Sequence, residues 1–164
     1  MSRFETAQAA YQALPKHVKS LMLSTVNADG TPHASYAPFV MDDTYQIYLL
    51  TSSLSAHTPN LLRTEQASVL IIEDESQTQQ VFARQRLNYD CQVTPIKRQS
   101  EVWEPLMAQL ETRFGEIIAM LRQLEDFQLF HLSPQGGRFI MGFGAAYEVD
   151  PNNLGQLQEG AITG

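Results

Sequence analysis

The sequence predicts a mainly β fold, an antiparallel barrel with helices on its outside. Three observations carry this. About seven strand-like runs follow one another with short turns between them, and only two or three segments have helical spacing. A proline also interrupts one of the strands at Ala37-Pro38, which suits a rim, bulge or edge where a sheet closes on itself.

Each element has its local reason. Residues 4–14 are rich in Ala and Gln with apolar spacing, a short leading helix that Pro15 should end. Leu21 to Val26 reads as a buried strand, and Asp29-Gly30 supplies the tight turn into the return strand, Thr31 to Met41. Asp42-Asp43 then turns the chain into "TYQIYLL". Thr58-Pro59 reads as an N-cap with proline at the first helical position. "ASVLIIE" and "VFARQRLNYDCQVTP" are strands, the second with Val81, Ala83, Leu87, Cys91 and Val93 on one face. Ser100 to Leu121 is helical, bent or split by Pro105 and Gly115. "DFQLFHL", the turn "SPQGG", "RFIMGFG" and "AAYEV" complete the strands. Residues 1–150 therefore read as one domain, and 151–164 as a polar tail with little to pack against.

Composition narrows the function. The chain has 164 residues and a formal charge of −7, from 18 acidic and 11 basic side chains. Nucleic acid is a poor partner for such a surface, because phosphate neutralisation needs clustered Lys and Arg. No apolar run approaches the ~20 residues of a membrane span, so the expectation is a soluble, cytoplasmic protein. Cys91 is the sole cysteine and reads as a small buried thiol. The four histidines are scattered without metal-ligand spacing, and no nucleophile, Walker or dinucleotide motif appears.

Two features suit chemistry. Arg84 and Arg86, two apart, fit either a solvated strand face or a pair of guanidinium forks for a phosphate or carboxylate. The hydroxyl-rich run Thr51, Ser52, Ser53, Ser55, leading through His57 to a helix start, fits either plain capping or an anion site. His33 and Ser35 share a strand face beside the proline break, and Asp126 precedes a strand as a turn residue.

Taken together, "SYAPFV", "SAHTPNLL", "FARQRLNYD", "RFGEII", "DFQLFHL" and "GRFIMGFGAAYEV" resemble, in order and spacing, the pyridoxamine-phosphate-oxidase-like split barrels. The likeness runs from Leu21 to Val149 and is strongest to their haem-utilisation branch, the HugZ/HutZ-type proteins. It implies a homodimeric split barrel with two ligand sites at the subunit interface. In flavin-binding relatives that cleft takes FMN, and Thr51 to His57 match the phosphate loop, with Ala56 and His57 where flavin oxidases carry Arg and Lys. In the haem branch it takes haem and opens it to a biliverdin-type product. Arg86 then matches the arginine near the open side of the haem, and Asp126 the acid that hydrogen-bonds the axial histidine of the other subunit. That histidine belongs to an "EGH" segment, and here Ala161 takes its place in "LQEGAITG". An alanine cannot ligate iron.

The expectation is thus a haem-utilisation protein, with Arg86 and Asp126 as its working residues and haem as cofactor. The alternatives are an FMN-dependent oxidoreductase, its phosphate on Ser53, Ser55, His57 and Arg84 with Ser35 in the ring-covering wall, and a haem carrier without turnover.

Overall fold

A computed structural model describes residues 1–160 and 162. The elements run α1 (Arg3–His17), β1 (Ser20–Val26), β2 (Pro32–Pro38), β3 (Val40–Met41), β4 (Ile47–Ser52), α2 (His57–Thr64), β5 (Gln66–Ile72), β6 (Arg86–Ile96), α3 (Trp103–Phe114), α4 (Ile117–Leu121), β7 (Phe127–Gly142) and β8 (Ala145–Glu148). All strand pairs are antiparallel, and the sheet runs β2-β1-β5-β6-β7-β4-β3 with β8 beside β7. A mainly β, antiparallel fold with flanking helices is what the sequence led us to expect. No described helix is long and apolar enough to cross a membrane.

The proline break has a topological purpose. β2 and β3 are the two ends of the sheet, yet they are consecutive in the chain. Pro38 ends β2 against Ser20 of β1, and two residues later Val40 pairs with Tyr48 of β4. The barrel is therefore closed by the covalent chain at Pro38-Phe39 instead of by a ladder. Pro38 has no amide proton to lose there. Phe39 is fully buried as the corner plug, its amide donating to Lys19 O at 3.1 Å.

Two apolar clusters hold the layers. Inside the barrel, Leu23, Val69, Leu87, Phe130 and Phe139 pack with Tyr11 of α1. Outside it, Trp103, Met107, Leu110 and Ile118 of α3 and α4 pack on Val40 and Leu129. Gly115, at φ +82°, separates these two helices, as its position suggested. The Asn27–Thr31 turn also forms as expected: Gly30 takes φ +86°, and Asp29 Oδ1 accepts from the Thr31 amide and hydroxyl.

Several local readings are corrected. Helix α1 runs two residues past Pro15, starts from a Ser2–Glu5 capping box, and has Arg113 donating to Val18 O below its end. The segment "SPQGG" is strand, not turn: β7 continues through it, with a bulge opposite Asp90/Cys91. Val81 to Ala83 form a 3₁₀ turn, so β6 begins only at Arg86, and Val81 and Phe82 are exposed. Leu87, Tyr89, Cys91 and Val93 do share the buried face. Burial pushes the Cys91 thiol up to about 12, which makes it inert at neutral pH.

The polar tail also has partners after all. Gln8 donates to Gly155 O and accepts from the Leu157 amide, both at 2.8 Å. The Tyr11 hydroxyl lies 2.5 Å from Leu154 O and from the Tyr89 hydroxyl. Leu157 joins the barrel core.

Candidate functional site

The hydroxyl-rich turn joins the end of β4 to α2. The helix starts earlier than the capping pattern indicated: Ala56 precedes it, and no side chain caps it. Thr58 is instead wholly buried within the first turn, its hydroxyl 2.6 Å from Ser52 O and 2.9 Å from Thr51 Oγ1. Asn60 anchors the helix below the barrel through Thr25 Oγ1 and Asn27 Oδ1, at 3.1 and 3.0 Å.

β4 and β7 pair so that Ser52 lies opposite Phe127, which sets Asp126 against the turn. Ser52 Oγ donates to Asp126 Oδ2 at 2.8 Å. The Ser53 amide and hydroxyl reach Asp126 O at 2.7 and 2.9 Å, and Gln128 Nε2 donates to Ser53 Oγ at 2.7 Å. Ser55 contributes backbone bonds, to Ser52 O and from the Thr58 amide. Sequence reasoning singled out Asp126, and Ser52 and Ser53 within the hydroxyl-rich run, but neither the pairing of Ser52 with Asp126 nor Gln128. Strand register brings them together, and register between distant strands leaves no local signal.

His57 meets Ser35 across this end of the barrel, with Nδ1 2.9 Å from Ser35 Oγ. Ser35 Oγ also lies 3.3 Å from Leu23 O, so the hydroxyl bridges the imidazole and the β1 backbone. Burial, and then the charge of His33, hold the His57 imidazole below its ordinary range. His131 is likewise lowered by burial, against a smaller opposite pull from Asp42. A base whose folded-state pKa is depressed binds protons less readily folded than unfolded, so stability is complete above about pH 6.5 and is lost on acidification. The melting temperature is expected to be lower at pH 5 than at pH 7.5. An unchanged melting temperature would show that both rings protonate without penalty.

The arginines do not form the strand-borne pair that the sequence suggested, because Arg84 lies in the loop before β6. Arg84 Nε donates to Glu73 O at 2.6 Å, and Nη1 lies 3.6 Å from Glu75 Oε2. It is tied to its own loop. Its carbonyl holds Arg86 Nη1 at 2.9 Å, and among the described residues this is the one hydrogen bond of the Arg86 fork.

Within one protomer these residues form two groups. Arg86 pairs with Ile140 near one end of β7, while Ser52 pairs with Phe127 at the other. The separation is ~40 Å measured along the strand. The Arg86 row continues through Ile140 to Ala146, whose carbonyl accepts the Ile162 amide at 2.7 Å. Arg86 and the C-terminal segment thus share one row, and Asp126 and Ser53 lie at the other end of β7, while the row of Ser35 runs through Leu23 and Val69 to Tyr89, three residues from Arg86. Ala161 itself falls outside the described residues. Of the expected phosphate set, Ser53 and Ser55 lie in the β4–α2 turn with His57 at the helix start, whereas Arg84 is held in its own loop by Glu73 and Glu75.

The protein-family model for pyridoxamine 5'-phosphate oxidase matches residues 7–141. The chain belongs to the pyridoxamine 5'-phosphate oxidase family. It is 46% identical over 136 residues to "Heme oxygenase HutZ" of Vibrio cholerae, covering 83% of this chain and 77% of that protein. Among solved structures, HutZ of Vibrio cholerae, described there as a haem storage protein, superposes with a TM-score of 0.76 at 42% identity. That match covers 87% of this chain and 98% of HutZ. ChuZ of Campylobacter jejuni superposes with a TM-score of 0.85 at 29% identity, covering 98% of this chain but only 65% of ChuZ.

Proposed function

We propose that this member of the family binds haem in a cleft formed by two copies of the chain, as part of haem utilisation. The observation that carries this reading is the division of the candidate residues between the two ends of β7. A site needing both Arg86 and Asp126 has to take them from different protomers. A surface for the second copy is also available. Tyr36, Met22 and Leu70 form one row on the outer face of β2, β1 and β5, with Tyr36 56% and Met22 47% exposed. Among the described residues α3 and α4 pack on Val40 and Leu129 instead, and exposed apolar rows of this kind mark interfaces. The similarity to HutZ supplies the ligand class.

The side chains present fit haem better than FMN. In the turn that would receive an FMN phosphate, the Ser52 and Ser53 hydroxyls already donate to Asp126, and residues 51–57 include no Arg or Lys. The Asp126 carboxylate would repel a phosphate at that distance. Arg86 suits a propionate, since its fork matches a carboxylate and is only partly engaged among the described residues. His57 offers a neutral imidazole whose Nε2 makes no hydrogen bond among the described residues. Haem, when bound, supplies the redox chemistry towards oxygen. The chain's own work is to hold the macrocycle, set the polarity around it and exclude bulk water.

Titrating the purified protein with haem while following its visible spectrum tests the reading. The expected result is a Soret band saturating at one haem per chain, on a particle of twice the chain's mass by light scattering. Reductant and oxygen are then expected to bleach that band into a bile-pigment spectrum, and an unbleached band would make the protein a carrier. A monomer that yields no Soret band would overturn the proposal.

A further inference from the structure

We infer that Ser52 is a positioning residue that fixes the Asp126 carboxylate in one orientation and presents its Oδ1 as the acceptor at the cleft; this rests on the haem-cleft reading above. The hydrogen-bond directions are determined by what each hydroxyl accepts. Ser52 Oγ takes the Leu54 amide proton at 3.1 Å, so its own proton is left for Asp126 Oδ2 at 2.8 Å. Ser53 Oγ takes a proton from Gln128 at 2.7 Å and gives its own to Asp126 O at 2.9 Å. The backbone and one carboxylate oxygen of Asp126 are therefore both pinned to the β4 turn. Oδ1 has no partner among the described residues, and Asp126 is partly exposed.

A carboxylate with one oxygen bound and one open presents a single acceptor in a fixed direction. Its complement is an N–H donor arriving from outside the protomer, on the second copy or on a residue bound to the ligand. A freely rotating aspartate would have to be ordered at the moment of binding, which costs conformational entropy. Ser52 removes that cost beforehand. No sequence motif signals it, since Ser52 and Asp126 lie 74 residues apart.

The experiment compares Ser52→Ala, Ser52→Thr, Asp126→Asn and the Ser52→Ala/Asp126→Asn double variant. The readouts are haem affinity by Soret titration and, in the haem-free protein, the three-bond couplings of the Asp126 Cβ protons. Ser52→Ala is expected to weaken haem binding about 3- to 10-fold and to average the couplings over rotamers. Ser52→Thr keeps the hydroxyl and is expected to restore both. The double variant should bind no more weakly than Asp126→Asn alone, because Ser52 acts through Asp126. Additive losses, or a single Asp126 rotamer surviving in Ser52→Ala, would overturn the inference. If Asp126→Asn leaves haem affinity untouched, Asp126 falls out of the haem reading, while the couplings still decide whether Ser52 orients it.

Discussion

Phe139→Ala is expected to destabilise the fold by about 3–5 kcal/mol, the loss typical of emptying a large aromatic site in a core. Phe139 is wholly buried, stands between Leu87 of β6 and Tyr147 of β8, and meets the Tyr11 ring edge-on at 5.7 Å. It links the barrel wall to α1, and through Tyr11 to the C-terminal segment. Flanked by paired strands on both sides and by α1 above, the site has little freedom to collapse into the space left behind. At about 2–4 °C per kcal/mol for a chain of this size, the melting temperature should fall by roughly 6–20 °C. Phe143→Ala is the control, because Phe143 is 70% exposed and should change stability by no more than about 0.5 kcal/mol. Equal effects in thermal melts would mean that the interior relaxes around the loss.

Arg86→Ala is expected to weaken haem binding by about 1.5–3 kcal/mol, or about 10- to 150-fold, the range of hydrogen bonds to charged groups. Lysine should not rescue it. The guanidinium is oriented by one bond to Arg84 O and offers the rest of a planar fork, and an ammonium cannot do both. Arg84→Ala should have a smaller effect, since Arg84 touches Glu73 and Glu75 and reaches Arg86 only through its backbone. Soret titrations of the three variants check this. Unchanged affinity in Arg86→Ala would remove it from the site.

What was legible in the sequence was local. The turn at Asp29-Gly30 announces itself because glycine readily takes the positive φ it needs. The alternation of Leu87, Tyr89, Cys91 and Val93 betrays a half-buried strand because side chains alternate across a sheet. Misreadings arose where local chemistry is overridden. Pro134 and Gly136 are turn formers, yet β7 runs through them. At Gly137 the absence of a side chain is what the sheet needs, since a Cβ there would lie 2.6 Å from the Tyr89 ring. Arg84 left the strand because the loop from Glu73 claims it, and the polar tail found partners in Gln8 and Tyr11 at the other end of the chain.

The candidate site followed the same division. The residue types were visible: hydroxyls before a helix, an aspartate before a strand, an arginine at a strand's start. Their grouping was not.

The amino-acid order by itself determined most of the strands and helices, the interrupted edge at Pro38 and, through six short motifs, the family likeness, because each element and motif is carried by residues within a few positions of one another. Only the tertiary structure decided that Ser52 meets Asp126, that His57 meets Ser35, and that Arg86 shares a row with the C-terminal segment at the end of β7 away from Asp126. Those pairings depend on which strands lie side by side and in what register, and that is settled by burial of the whole sheet.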